Sequence, residues 1–134
     1  TFHMGLEDNL IFDDHDFRKE ILREDVCNAQ FVYDLCEKER FDYIYHIAAI
    51  TPLPDCQIDP GRAEQFGISG TVNILEAARR YGAKNVIFAS TSAVYENCRE
   101  FPTREEDVVP PSLVYSEGNI PQNYFVKVMQ MFME

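Results

Sequence analysis

Ser90-Thr91-Ser92 sets three hydroxyls in a row directly after the apolar run Val86-Ile87-Phe88-Ala89. Hydroxyls at the end of a strand can hydrogen-bond a ligand's hydroxyl or keto oxygen and so take part in moving its proton. The plainer alternative is that they only cap the strand end. Side chains alternate along a strand, so Thr91 points to one side and its neighbours Ser90 and Ser92 to the other. Further on, Tyr124 and Lys127 stand three positions apart in a stretch free of helix breakers, and Tyr115 precedes them. At that spacing a Tyr and a Lys share a broad helix face, although the Lys sits about 100° around the helix from the place a four-residue spacing would give it. Cys27, Cys36, Cys56 and Cys98 are far apart and include no Cys-x-x-Cys pair, which argues against a zinc site or a redox couple. The apolar settings of Cys27 and Cys36 suit buried free thiols, and free thiols favour a reducing cytosol.

These residues need elements to hold them. From Asn28 to Glu39 the residues Phe31, Val32, Leu35 and Cys36 fall on one stripe of a 3.6-residue repeat, which predicts a helix with Asn28 as its N-cap. Tyr43-Ile44-Tyr45-His46-Ile47-Ala48-Ala49 is a nearly unbroken apolar run rich in strand formers, the pattern of a parallel strand covered on both faces. Thr51-Pro52-Leu53-Pro54-Asp55 cannot continue that strand and reads as a loop. A second helix is expected from Gly70 to Tyr81, burying Ile68, Val72, Leu75 and Ala78, with Arg79 and Arg80 in its last turn and Gly82 just beyond. Asn85 to Ser90 reads as a second short apolar strand. Glu96 to Asn119, where Pro102, Pro110 and Pro111 stand among Glu105, Glu106 and Asp107, reads as irregular, and a helix is expected to restart at Pro121. In the first 25 residues, Asn9 to Phe12 and Glu20 to Leu22 could each be a strand or helix edge.

Helix, strand, loop, helix, strand implies crossover connections and a parallel, doubly wound α/β sheet, on which ligands bind at the carboxyl ends of the strands. The 134 residues, 46% of them hydrophobic, are enough for one domain with a core. The net charge of −11 argues against a nucleic-acid or acidic-membrane surface, which would need clustered Lys and Arg. No apolar run approaches the roughly 18 residues of a membrane span, and no basic-then-apolar leader opens the chain.

Asp25-Val26, His46-Ile47-Ala48-Ala49, Gly70-Thr71-Val72-Asn73-Ile74-Leu75-Glu76-Ala77-Ala78 and Ser90-Thr91-Ser92-Ala93-Val94-Tyr95 together resemble, in order and spacing, the successive signatures of the extended short-chain dehydrogenase/reductases, the NAD-dependent nucleotide-sugar epimerases and dehydratases. The resemblance implies a Rossmann-like sheet, here without the first strand and the glycine-loop helix, and places Asp25, Val26, Ala48, Ala49 and Ser90 at the cofactor. Asp25 would accept hydrogen bonds from the adenine amino group, where the bland reading is a solvated acid ahead of a helix. Ala48 and Ala49 would let the backbone approach ribose and pyrophosphate. His46 is a core strand residue in this reading. Thr91 matches the family's catalytic Ser/Thr, and a Tyr paired with a Lys would complete the set. The Lys lowers the Tyr pKa from about 10 toward neutrality, so that the Tyr can serve as acid or base.

The sequence also departs from the family pattern. Tyr115-Ser116-Glu117-Gly118-Asn119 resembles the catalytic motif of the family's decarboxylases but has Asn119 where the Lys belongs, whereas Tyr124-Phe125-Val126-Lys127 has its Lys one residue early. Gly67 replaces an Asn ahead of Gly70-Thr71, and the Gly-x-x-Gly-x-x-Gly phosphate loop is missing. The expected parent is an enzyme that binds NAD, with NADP left open, and a nucleoside-diphosphate sugar, as a homodimer packed through the catalytic helix. The alternative is a non-catalytic nucleotide sensor or scaffold on the same fold. The sugar, the base and the choice among epimerase, dehydratase and decarboxylase stay open.

Overall fold

The computed structural model describes residues 7–50, 53–95, 98–99 and 102–107. Tyr115, Tyr124, Lys127 and the helix expected from Pro121 lie outside these residues. The described chain opens with a 3-10 turn and a small antiparallel hairpin, β1 (Ile11–Phe12) and β2 (His15–Asp16), followed by a second 3-10 turn over Phe17–Glu20. Helix α1 (Ala29–Glu39) begins where the Asn28 side chain accepts the Phe31 N–H at 3.3 Å, the expected N-cap. It ends through Arg40, held in the left-handed region at φ 52°. Strand β3 (Tyr43–His46) follows directly and pairs in parallel with β4 (Asn85–Phe88), in the register Tyr43 to Asn85 and His46 to Phe88.

Between the two strands runs a nearly continuous helical stretch: α2 (Leu53–Ile58), α3 (Pro60–Glu64), a π-helical turn over Gln65–Ser69, and α4 (Gly70–Tyr81). The loop expected at Thr51 to Asp55 is therefore shorter, because α2 begins at Leu53. Pro54 sits in that helix's first turn, where a missing N–H costs nothing, so the proline that stops the strand also suits the helix start. Asp59 caps α3 by accepting the Arg62 N–H at 3.0 Å, with Pro60 in the first position.

Helix α4 has the expected bounds but a different buried stripe. Val72 is 37% exposed, whereas Thr71, Leu75, Ala77 and Ala78 are buried. At about 100° per residue, Thr71, Leu75 and Ala78 form one line and Gly70, Asn73 and Ala77 an adjoining one, which puts Val72 on the far side with Arg79. The first line faces the sheet, where Leu75 and Ala78 pack on Val86 and Ile44. The second faces α1, where Ala77 packs on Val32 and Cys36. Burying Leu75 alone is worth on the order of 2 kcal/mol.

Both strands are shorter than expected, ending at His46 and Phe88, and β3 is not covered on both faces. Ile44, His46 and Val86 turn toward α1 and α4, whereas Tyr43, Tyr45 and Ile87 are exposed on the other side. The period of two makes this division unavoidable once one layer of helices is in place. All four cysteines are free, with Cys36 and Cys56 buried and Cys27 half-buried. Among the described residues, no helix is long and apolar enough to cross a membrane.

Helix α4 closes when the Gly82 N–H donates to the Ala78 carbonyl at 3.0 Å, with Gly82 at φ 78°. A Cβ there would meet no atom within 4 Å, so its cost is purely conformational. Gly82→Ala is expected to lower stability by about 1 kcal/mol. In urea denaturation this should appear as a lower midpoint with an unchanged slope.

Candidate functional site

Two segments follow the carboxyl ends of the parallel strands, and a third is held by the first turn of α4 beside them. The first is the end of β3. His46 is 4% exposed, and its Nε2 lies 2.9 Å from Thr71 Oγ1 in the first turn of α4. Thr71 Oγ1 donates its single proton to the Gly67 carbonyl, so His46 must be the donor in the other bond, which fixes the neutral Nε2–H tautomer. Burial lowers the His46 pKa from its ordinary value and keeps the ring uncharged. His46 is thus a core residue, as expected. Beyond it, Ala48 and Ala49 lie exposed past the strand end, and the Cys56 thiol donates to the Ile50 carbonyl at 3.3 Å.

The second segment is the loop before α1. The Asp25 carboxylate accepts the Cys27 N–H at 2.8 Å, and the Asp25 carbonyl accepts the Asn28 N–H at 2.9 Å. This closes a tight turn. A carboxylate has about four acceptor positions, so the Cys27 bond leaves Asp25 with capacity for an amino group. Burial, and then the Asp25 carboxylate beside it, push the Cys27 thiol up to about 11, so it is no nucleophile near neutral pH. Helix α4 grips the loop: the Asn73 side-chain amide donates to the Val26 carbonyl at 3.0 Å, and a Cβ on Gly70 would come within 2.8 Å of Val26 Cγ2. Asp25 and Val26 help to line an apolar cleft of about 230 Å³ together with Val32 and Cys36 of α1, Ile44 of β3 and Ile74 of α4.

The third segment follows β4. The Ala89 N–H donates to the His46 carbonyl at 3.1 Å, carrying the strand pairing one residue further. Ser90 and Thr91 come next, two and three residues past the strand, as Ala48 and Ala49 are past β3. The Thr91 hydroxyl accepts the Ala93 N–H at 3.2 Å and so caps the 3-10 turn Ser92–Tyr95. Ser90 is exposed and Thr91 half-buried.

The structure therefore brings Ala48, Ala49, Ser90 and Thr91 to one edge. Through Gly70 and Asn73 it ties the Asp25-Val26 loop to the end of α4 whose Thr71 bonds His46. Tyr115, Tyr124 and Lys127 fall outside the described residues. Among the described residues, no group of three His, Cys, Asp or Glu side chains could hold a metal ion. Sequence reasoning missed Asn73, Thr71 and the tight fit at Gly70. Asn73 carried a signal, since an Asn inside a helix forgoes helix propensity and needs a partner to justify its place.

A parallel strand pair joined through a helical crossover and backed by helices is the architecture of an α/β protein of the Rossmann kind. The chain belongs to the GDP-mannose 4,6-dehydratase family, whose model matches residues 2–131, within the extended short-chain dehydrogenase/reductases. It is 29% identical over 105 residues to a UDP-glucose 4-epimerase of Lacticaseibacillus casei, covering 78% of this chain and 32% of that protein. It is similar in fold to the UDP-glucose 4-epimerase of Thermotoga maritima solved with UDP-glucose, with a TM-score of 0.77 and 21% identity over 88% of this chain and 41% of that one. It is also similar to the Thermus thermophilus UDP-glucose 4-epimerase in complex with NAD, with a TM-score of 0.74 and 24% identity over 88% of this chain and 40% of that one. The chain thus spans about a third of the length of the Lacticaseibacillus casei relative.

Alanine is the better helix former, yet Gly70→Ala is expected to destabilise because its methyl strikes Val26. Val26→Ala should relieve that clash, so a double-mutant cycle should return a coupling of about 1 kcal/mol or more; additive effects would remove the contact from the account. His46 binds a proton less readily folded than unfolded, so the unfolded state takes up more protons as pH falls below about 6.5. Stability should therefore drop between pH 7 and pH 5, above the range in which carboxylates titrate. His46→Gln, which keeps a donor for Thr71 but cannot titrate, should flatten that part of the thermal-midpoint profile.

Proposed function

We propose that this chain is the central part of the dinucleotide-binding domain of an NAD-dependent nucleotide-sugar epimerase or dehydratase. The chemistry that NAD supplies when bound is the reversible uptake of a hydride from a sugar carbinol. Asp25 holds the adenine amino group through the acceptor capacity its Cys27 bond leaves, and the side chain of Val26 packs beside the ring. Ala48 and Ala49 keep the strand end low enough for ribose and phosphates to lie across it. Thr91 hydrogen-bonds the sugar oxygen: having accepted the Ala93 N–H, its hydroxyl still has a proton to donate. Tyr124 or Tyr115 exchanges the proton of that oxygen, and Lys127 lowers the pKa of the Tyr. A transient ketone can take the hydride back on its other face, acidifies the neighbouring C–H bonds and labilises a carboxylate beta to it, which is why one framework serves epimerisation, dehydration and decarboxylation.

The observation that supports this reading is that Ala48-Ala49 and Ser90-Thr91 follow the ends of two paired parallel strands, while α4, whose Thr71 bonds the end of β3, also holds the Asp25-Val26 loop. The UDP-glucose 4-epimerases it resembles lend a substrate class, a nucleoside-diphosphate sugar, and a cytoplasmic homodimer is the form the same reading gives it.

The test is to titrate the full gene product with NAD and then assay it with UDP-glucose and related nucleotide sugars. Binding of NAD with turnover of one of these sugars is expected. Failure to bind any dinucleotide would withdraw the roles given to Asp25, Thr91, Tyr124 and Lys127. In an active preparation, Thr91→Ala should lower kcat by about 10²-fold with little change in NAD affinity, and Thr91→Ser should recover most of the loss.

A further inference from the structure

The Asp25-Val26 loop is fixed within itself by the bonds from Asp25 to Cys27 and Asn28, but those bonds say nothing about where the turn sits relative to the sheet. Three contacts to the helical stretch before and within α4 set that position. The Cys27 thiol lies 3.6 Å from the Gln65 carbonyl, a weak bond for a poor donor. Gly70 touches the Val26 side chain, and such a contact limits how close the loop can come without pulling it in. The bond from the Asn73 amide to the Val26 carbonyl, at 3.0 Å and half-buried, is the directional attraction of the three. Gly70 and Asn73 lie one turn apart on the same face of α4, so one helix face both pushes and pulls on the same residue.

We propose that Asn73 is a positioning residue for adenine recognition: by holding the Val26 carbonyl against α4, its side-chain amide sets where the neighbouring Asp25 carboxylate meets the adenine amino group. This inference rests on the adenine role given to Asp25 above. Asn73 itself touches no ligand. It acts on a backbone carbonyl one residue from the recognising group, so a lost bond lets the turn drift and weakens the adenine end of the cofactor while leaving the nicotinamide end as it was.

The experiment measures, on the full gene product, the affinities for AMP and for nicotinamide mononucleotide by calorimetry, which separates the two halves of the cofactor. Asn73→Ala should weaken AMP by about five- to tenfold and leave nicotinamide mononucleotide within about twofold. Asn73→Asp should weaken AMP at least as much, because a carboxylate opposes the Val26 carbonyl. Equal weakening of both ligands, or no weakening of AMP, would overturn the positioning role. If the unmodified protein binds no AMP, the adenine assignment of Asp25 fails first and this inference falls with it. Should Asn73→Ala fail to fold, Gly70→Ala pushes the same loop away from the same helix face, and it must show the same selective loss of AMP for the inference to stand.

Discussion

A buried histidine at the end of a strand must have a partner, and the arrangement of the whole site follows from how this one finds it. His46 is enclosed between Phe88 on the neighbouring strand and the first turn of α4. Leaving its ring N–H unmet would cost about 1–3 kcal/mol, comparable to a large share of a small domain's stability. Thr71 meets it, and can do so because its own proton goes to the Gly67 carbonyl one turn back, in the π-helical turn. A hydroxyl bonded in this way fixes the rotation and the height of α4 against β3. Once they are fixed, the line of Gly70, Asn73 and Ala77 has one direction left to face, toward α1 and the loop that begins it.

The two faces of α4 therefore do different work. The Thr71, Leu75 and Ala78 line builds the core on the sheet and holds the strand end. The Gly70, Asn73 and Ala77 line builds the contact with α1 and holds the Asp25-Val26 turn. Small residues sit where the backbones approach most closely, at Gly70 and Ala77, which is what close helix packing requires. The third, outward line carries Glu76, Arg79 and Arg80. There the two guanidiniums hold the Glu76 carboxyl down to about 2. That network is solvent-exposed and adds only tenths of a kcal/mol per pair to the helix. Positioning of the site comes from the two inner lines, and charge plays little part in it.

Much of this was legible in the sequence, for local physical reasons. α1 announced itself by Asn28 and an apolar stripe, and α4 ended at Gly82 because only a residue free of a Cβ takes φ 78° without strain. The parallel pairing of β3 and β4 followed from the helices between them. What was not legible depended on partners distant in the chain. Val72 looks like a core residue on any hydropathy count, and its exposure follows from the rotation that Thr71 imposes. Pro54 blocks a strand and equally permits a helix start, so composition alone left a loop where α2 begins. The apolar run of β3 implied cover on two faces. Tyr43 and Tyr45 remain exposed because α1 and α4 lie together on the other.

Thr91 shows why a strand-end hydroxyl resists assignment from sequence, and why the two readings of it do not compete. Capping uses a lone pair, since the Ala93 N–H is the donor. Hydrogen-bonding a sugar oxygen would use the proton. The same side chain can do both, and the cap restricts the rotamer from which it would donate, much as the Cys27 N–H restrains one oxygen of Asp25 while leaving acceptor capacity on the carboxylate. In each case a backbone amide from the following turn holds a polar side chain in place through the atom or lone pair that the proposed recognition would not need. Recognition groups set on loops gain in this way the definition that a strand or helix would otherwise have to supply, and the entropy of ordering them is met during folding, before any ligand arrives.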